Sequence, residues 1–275
     1  MEYKLIAFDL DGTFLDSKKG VPAENMAALR EAAKRGVHIV PATGRIYAGV
    51  PEELRSLPFI RYYLCINGAY VYDVKLDKCI YSADVALDTA LRFYEYADGL
   101  DCIYDCYQDG IGYMSQRMYE AADEYIDDPG VLHLVKALRR TVPELKDYLR
   151  EKGCAVQKLQ LHFRDSAARE RQLSELPQIF PELLFSTSVS SNIEVNAAEA
   201  GKGRGLAELC AYLGLSLSEC AAFGDGLNDA DMLRTAGLGI AMGNAAEAVK
   251  AAADYVTLTN DDCGVAAAIR KFIKI

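Results

Sequence analysis

An apolar run that ends in two acids one residue apart leaves this chain few ways to fold around them. Leu5-Ile6-Ala7-Phe8 has the length and composition of a short buried strand, and Gly12 breaks it just after Asp9, Leu10 and Asp11. Side chains alternate along an extended backbone, so Asp9 and Asp11 fall on one side with Leu10 opposite. Two carboxylates that close repel each other unless a cation or a shared proton relieves them. A hard divalent ion with oxygen ligands, Mg²⁺ before others, is the simplest relief. The competing reading is a surface turn, because Asp and Gly are ordinary turn residues.

The rest of the chain supplies a frame for such a site. A helical stretch over residues 23–35, stopped by Gly36, precedes a strand over 37–40. A helix over 47–57 precedes a third strand over 63–66. Strand–helix–strand–helix–strand is the grammar of a parallel doubly wound sheet. From about Ser82 the rhythm changes. Helices are expected over 85–97, 116–126, 142–152 and 166–176. Strands are expected around Asp109-Gly110 and over 155–163 and 183–188, while residues 129–140 match neither pattern. The parallel grammar resumes with an extended segment at 193–195, a helix over 204–213 and a strand over 220–223. A short helix over 230–236, a strand over 238–241, a helix over 245–253 and a strand over 255–258 complete it. The expected fold is α/β, a doubly wound parallel Rossmann-like sheet formed by residues 1–81 and 191–275. An inserted α+β module occupies 82–190.

Bulk properties exclude several classes. At 275 residues there is room for two domains, and a net charge of -10 gives no basic face for a nucleic acid. The eight cysteines form no Cys-x-x-Cys pair and only three histidines are present, which suits zinc poorly and a reducing cytoplasm well. The N-terminal stretch lacks a signal-peptide core and no apolar run approaches membrane length, so the expectation is a soluble cytoplasmic protein without a membrane partner. Nothing in the sequence sets the oligomeric state.

In open parallel sheets ligands bind at the carboxyl ends of strands. Polar residues recur there: Asp9 and Asp11, Thr43 and Arg45, Asn67, Asp225 and Asp229. In Gly224-Asp225-Gly226-Leu227-Asn228-Asp229, two glycines allow a sharp turn beside Asp225, a second carboxylate for the metal. Asp229 completes the metal shell or stands just outside it, and Asn228 or Asp229 also suits the cap of the helix that follows. Thr43-Gly44-Arg45 offers a hydroxyl and backbone N–H groups at a strand-to-helix turn, where phosphate is favoured. Lys202, between two glycines, is a candidate for neutralising phosphate, with Arg204 its competitor. Asn67 is a candidate substrate contact. His38, His133 and His162 have no partners at triad or zinc spacing. The tyrosines of the module read as core and interface rather than a stacking platform for bases.

Together Asp9-x-Asp11-Gly12-Thr13, Thr43-Gly44-Arg45, Lys202 and Gly224-Asp225-Gly226-x-Asn228-Asp229 resemble, in order, the four motifs of the haloacid dehalogenase superfamily. The likeness is greatest to the Cof-type phosphatases, which carry a large α/β cap between the second and third motifs; Asn67-Gly68-Ala69 fits that group too. The resemblance implies that Asp9 attacks phosphorus to form an aspartyl-phosphate and that Asp11 protonates the leaving oxygen, then deprotonates water. It implies Mg²⁺ held by Asp9, the main-chain carbonyl of Asp11 and Asp225, with Asp229 orienting Lys202 or metal-bound water. Thr43 and Lys202 would bind the transferring group, and Gly44, Arg45, Asn67 and Asn228 would line the substrate. Leu227 stands where many members have Glu, a position that carries no metal. The implied activity is hydrolysis of small phosphorylated metabolites, sugar phosphates first, with specificity in the inserted module. Lys136, Arg139, Arg140, Lys158 and His162 are its polar candidates. The rivals are a phosphomutase of the same superfamily and a non-enzymatic metabolite-binding protein on the same fold.

Overall fold

The computed structural model describes residues 3–273. The chain forms two compact units, one built from residues up to Ser82 and from Gly201 onward, the other from Ala83–Ala200.

In the first unit every residue of the Leu5–Phe8 strand is buried, as a continuous apolar run requires. The five-stranded sheet runs in the order Tyr255–Val256, Leu238–Ala241, Cys220–Gly224, Leu5–Phe8, His38–Pro41, and every pairing is parallel. Leu5 and Ala7 share a core with Leu206, Leu209 and Met232 from the helices Lys202–Leu213 and Ala230–Thr235. Ile6 and Phe8 point the other way by alternation. The chain leaves Leu5–Phe8 on one side for His38–Pro41 and returns on the other for Cys220–Gly224. Strand order therefore reverses beside Leu5–Phe8, and in such sheets a crevice for ligands opens at the reversal.

Two expectations for this unit are corrected. The strand Tyr62–Cys65 meets the parallel sheet only at the bridge between Ala42 and Leu64. It instead pairs antiparallel with Tyr70–Asp73, which pairs with Lys78–Ser82. The cause is the tight turn after it, where Ile66, Asn67 and Gly68 all have positive φ. The helix expected over 47–57 is a 3₁₀ turn, Tyr47–Gly49, followed by the short helix Glu52–Arg55. Pro51 separates them because it has no N–H to continue a helical ladder.

The second unit has a six-stranded sheet, antiparallel except where Ile111–Ser115 and Arg139–Val142 run together. Tyr94 and Tyr104 stack in its core with ring centroids 4.5 Å apart. Residues 129–140 resolve into a helix, Pro129–Leu138, whose first turn is capped by Asp128 on the Val131 N–H, and then the strand from Arg139. The extended segment at 193–195 does not return the chain to the parallel sheet. It lies within Asn192–Ala197, which pairs antiparallel with Lys158–Phe163 and Leu183–Ser186. The alternation Asn-Ile-Glu-Val-Asn-Ala is the pattern of a strand with one apolar face, not of a strand buried on both. No helix among the described residues is long and apolar enough to cross a membrane.

Candidate active site

The carboxyl ends of the two strands flanking the reversal carry the acids. Phe8 pairs with Phe223 and the Asp9 N–H donates to the Phe223 carbonyl, so Asp9 and the Gly224-Asp225-Gly226 turn leave the sheet side by side. The Lys202 side chain enters from the first turn of its helix, fully buried, and its Nζ lies 2.6 Å from both Asp9 Oδ1 and Asp229 Oδ1. The other oxygen of Asp229 accepts from the backbone N–H groups of Asp225 and Gly226 at 2.9 and 2.8 Å. Asp229 thus fastens the turn and anchors the lysine at once; the expected side-chain cap on the helix Ala230–Thr235 is not made, because the carboxylate turns back to the N–H groups of Asp225 and Gly226. Asp225 Oδ1 accepts from the Thr13 hydroxyl at 2.6 Å. A Cβ on Gly12 would stand 2.4 Å from Asp225 Oδ2, and Gly12 has φ +85°, so only glycine brings the two turns this close. Arg204, the alternative to Lys202, is exposed and paired with Glu208.

Asp11 is held apart from this set by a cationic fork. Arg45 Nε and Nη2 donate to Asp11 Oδ2 and Oδ1 at 2.9 and 2.7 Å, and Lys19 Nζ donates to Oδ1 at 2.8 Å. Arg45 Nη1 is fixed on the Gly49 carbonyl. Thr43 is buried, and its hydroxyl accepts from the Arg45 N–H at 3.2 Å, leaving the hydroxyl hydrogen free to donate. Its carbonyl accepts from the Asn67 N–H, while Asn67 Oδ1 accepts from Asn228 Nδ2 at 3.1 Å. A Cβ on Gly44 would lie 2.8 Å from Asn67 Oδ1, so that pair sits close over the glycine backbone. No helix of any length begins at Thr43-Gly44-Arg45, which removes the helix-terminus argument for phosphate there. A twelve-residue helix does begin at Lys202.

The electrostatics are lopsided. Burial, with Asp229 and Asp225 adding and Lys202 opposing, lifts the Asp9 carboxyl to about 8. Burial acts against the charge on Lys202, but Asp229 and Asp9 outweigh it and hold the ammonium above its ordinary range. Asp225 is also raised, chiefly by burial, with the Thr13 hydroxyl opposing. Burial works upward on Asp11 too, but Arg45 and Lys19 overcome it and keep its carboxyl low.

Ligand oxygens of Asp9, Asp225 and Asp229 lie within 4.8 Å of one another, facing the single ammonium of Lys202. Three carboxylates and one ammonium leave an excess of negative charge that a divalent cation balances. The donors are all oxygen, as a hard cation requires. Sequence reasoning named no role for Thr13, Lys19 or Asn244. Asn244 Nδ2 donates to the Gly12 carbonyl at 2.8 Å and so braces the first loop. Its position just past Leu238–Ala241, at another strand carboxyl end, was the available signal.

Comparison with known proteins agrees with this geometry. Residues 6–269 match the family model of the haloacid dehalogenase-like hydrolases. The chain is 33% identical to the phosphatase YwpJ of Bacillus subtilis, over 96% of this chain and 97% of that protein. It is 31% identical to the 5-amino-6-(5-phospho-D-ribitylamino)uracil phosphatase YcsE of the same organism, over 99% and 97%. Among solved structures it is similar to a sugar phosphatase of HAD subclass IIB, with a TM-score of 0.80, 26% identity and coverage of 99% of this chain and 100% of that one. With the acids assembled at a reversal of strand order and a family match over nearly the whole length, the chain belongs to the haloacid dehalogenase-like hydrolases and is a phosphoric monoester hydrolase.

Proposed function

We propose that the protein is a Mg²⁺-dependent phosphatase of small phosphorylated metabolites, sugar phosphates first among them, working through an aspartyl-phosphate on Asp9. The observation that carries this reading is the buried Lys202 ammonium bound to both Asp9 and Asp229. It fixes one oxygen of Asp9, and among the described residues no hydrogen bond is made to the other, Oδ2, which is available to attack. Asp9 forms a bond to phosphorus as the ester P–O bond breaks, and Asp11 gives its proton to the departing alcohol oxygen. Asp11 then takes a proton from the water that attacks the acyl phosphate, releasing phosphate and restoring Asp9. The Arg45 fork aims the Asp11 carboxylate but also opposes its protonation. A phosphoester dianion competing for Arg45 and Lys19 loosens that grip when substrate arrives.

Asp9, Asp225 and the Asp11 main-chain carbonyl would hold Mg²⁺, which neutralises charge on the transferring group. Asp229 anchors Lys202 and the turn, and the lone pair left on its Oδ1 lets it complete the metal shell or hold metal-bound water just outside it. Thr43 and Lys202 bind the phosphoryl oxygens, while Gly44, Arg45, Asn67 and Asn228 line the approach. Convergence of so many groups suits the task, because enzymatic acceleration of phosphate-monoester hydrolysis reaches ~10²¹ and one acid–base group supplies only about 10²–10⁴. Two relatives are named for a phosphoester of a ribityl chain or a sugar, and others for pyridoxal phosphate or HMP-PP, all of them small phosphorylated metabolites. The test is release of free phosphate from sugar phosphates, nucleotides and cofactors with Mg²⁺ present, beside Asp9→Asn. An isomerised sugar phosphate in place of free phosphate would mark a mutase, and full activity of Asp9→Asn would reject the assignment of the nucleophile.

A further inference from the structure

The helix and the strand that carry Lys202 and Asp225 also bring two cysteines together, at their other ends. Cys210 lies in the last turn of the helix Lys202–Leu213, and Cys220 is the first residue of the strand Cys220–Gly224. Leu206 and Leu209 pack this helix on the sheet, in a core that both cysteines share. Between them the chain turns back through Gly214, whose φ of +67° ends the helix, and the Leu215 N–H donates to the Cys210 carbonyl. The two sulfurs consequently meet at 3.1 Å, hydrogen-bonded as free thiols.

A disulfide bond is about 2.05 Å long, so these sulfurs need approach by only about 1 Å to join. Their chemistry also sets them apart. Burial pushes up the thiols of Cys65, Cys102 and Cys106, which keeps them inert. The hydrogen bond from Cys220 instead lowers the Cys210 thiol, against burial and the Glu219 carboxylate. Cys210 therefore has the thiolate character that attack on an oxidant needs, and Cys220 stands in the place of a resolving thiol. Both side chains are buried, but just beneath the surface. Ala211, Tyr212, Gly214, Ser216 and Ser218 beside them in the chain are exposed, and Cys220 Sγ lies 3.7 Å from the Ser216 carbonyl oxygen. A small oxidant has one turn of chain to pass.

We propose that Cys210 and Cys220 are a redox-sensitive modification site, a dithiol that closes to a disulfide when the protein meets hydrogen peroxide. The Cys210 thiolate attacks one peroxide oxygen as the O–O bond breaks, and the departing hydroxide takes up the proton that Cys210 had lost. Cys220 then attacks the sulfenic sulfur of Cys210. The S–S bond forms as the S–O bond breaks, and the hydroxyl leaves with the Cys220 proton as a second water. The two sulfurs together give up two electrons, which the peroxide accepts. A dithiol reductant reverses the change by exchange. The bond ties the last turn of the helix to the start of the strand, at the ends remote from Lys202 and Asp225. It acts on stability, by restricting the unfolded chain over residues 210–220, and leaves the phosphoryl-transfer groups in place.

The test treats the full-length protein with hydrogen peroxide, removes the excess with catalase, then unfolds the chain, alkylates the remaining thiols and maps the peptides without reduction. A disulfide between Cys210 and Cys220 is expected, lost again in dithiothreitol, with a melting temperature about 5 °C above that of the reduced protein. Cys210→Ala should show neither the bond nor the shift on peroxide treatment. Alkylation of both cysteines after treatment, while the exposed Cys154 has been oxidised, would overturn the inference. So would a bond that leaves the melting temperature unchanged, or a shift that persists in Cys210→Ala. The wild-type peptide map decides by itself should the variant fail to fold. None of these readouts requires the protein to be a phosphatase.

Discussion

Lys202 sits where a single side chain decides both stability and chemistry. It is fully buried between Asp9 and Asp229, so its removal strands negative charge without a partner. Removing one partner from such a set costs about 3–5 kcal/mol. Lys202→Met should therefore lower unfolding free energy by about 3 kcal/mol in urea titrations without metal, with part of the loss recovered in Mg²⁺. Phosphate release should fall by about 10²–10³-fold, as when one donor to the transition state is lost. Unchanged stability would mean that Asp9 and Asp229 do not depend on the ammonium. By its setting between two glycines Lys202 reads as readily as a solvated surface charge, and it was the resemblance to the family's motifs that gave it a role. What the sequence could not display was burial, because the groups that bury the lysine come from strands far away in the chain.

At the scale of elements, patterns that repeat locally were legible and those that depend on a partner strand were not. The Leu5–Phe8 run declared itself, since four consecutive apolar residues suit a strand buried on both faces. Asn192–Ala197 was assigned to the wrong sheet although its alternation carried the right signal. The Tyr62–Cys65 strand was recognised as a strand, but its turn through positive φ at Ile66 and Asn67 was not foreseeable from an Ile in that place. The hairpin that follows depends on Asp73, whose buried carboxylate meets Arg61 at 2.6 and 2.9 Å and accepts from the N–H groups of Lys75 and Leu76. The bond from Arg61 is the chief cause that holds the Asp73 carboxyl below its ordinary value of 3.8. A carboxyl lowered on folding stabilises fully above its unfolded value and loses that contribution as pH falls through its folded value. Asp73→Asn should accordingly be less stable than the wild type near neutral pH, with the difference shrinking below about pH 4 in denaturation curves taken across acid. A difference that stays constant with pH would show that the ion pair contributes nothing.

For the whole molecule, the central claim is that acids from opposite ends of the chain form one phosphoryl-transfer site. The excess negative charge around Asp9, Asp225 and Asp229 predicts a cation requirement. Chelation should abolish turnover and lower the melting temperature, and Mg²⁺ should restore both, since a ligand that binds only the folded state stabilises it. Zn²⁺ should substitute poorly for want of nitrogen or sulfur donors. Turnover that survives exhaustive chelation would contradict the charge argument. The most direct measurement traps the covalent step. Enzyme mixed with substrate and Mg²⁺, quenched in acid within a turnover and reduced with borohydride, converts an acyl phosphate on aspartate to homoserine, which peptide mass spectrometry locates. Homoserine should be found at Asp9 alone and be lost in Asp9→Asn; modification at another residue, or none in an enzyme that is releasing phosphate, would contradict the account.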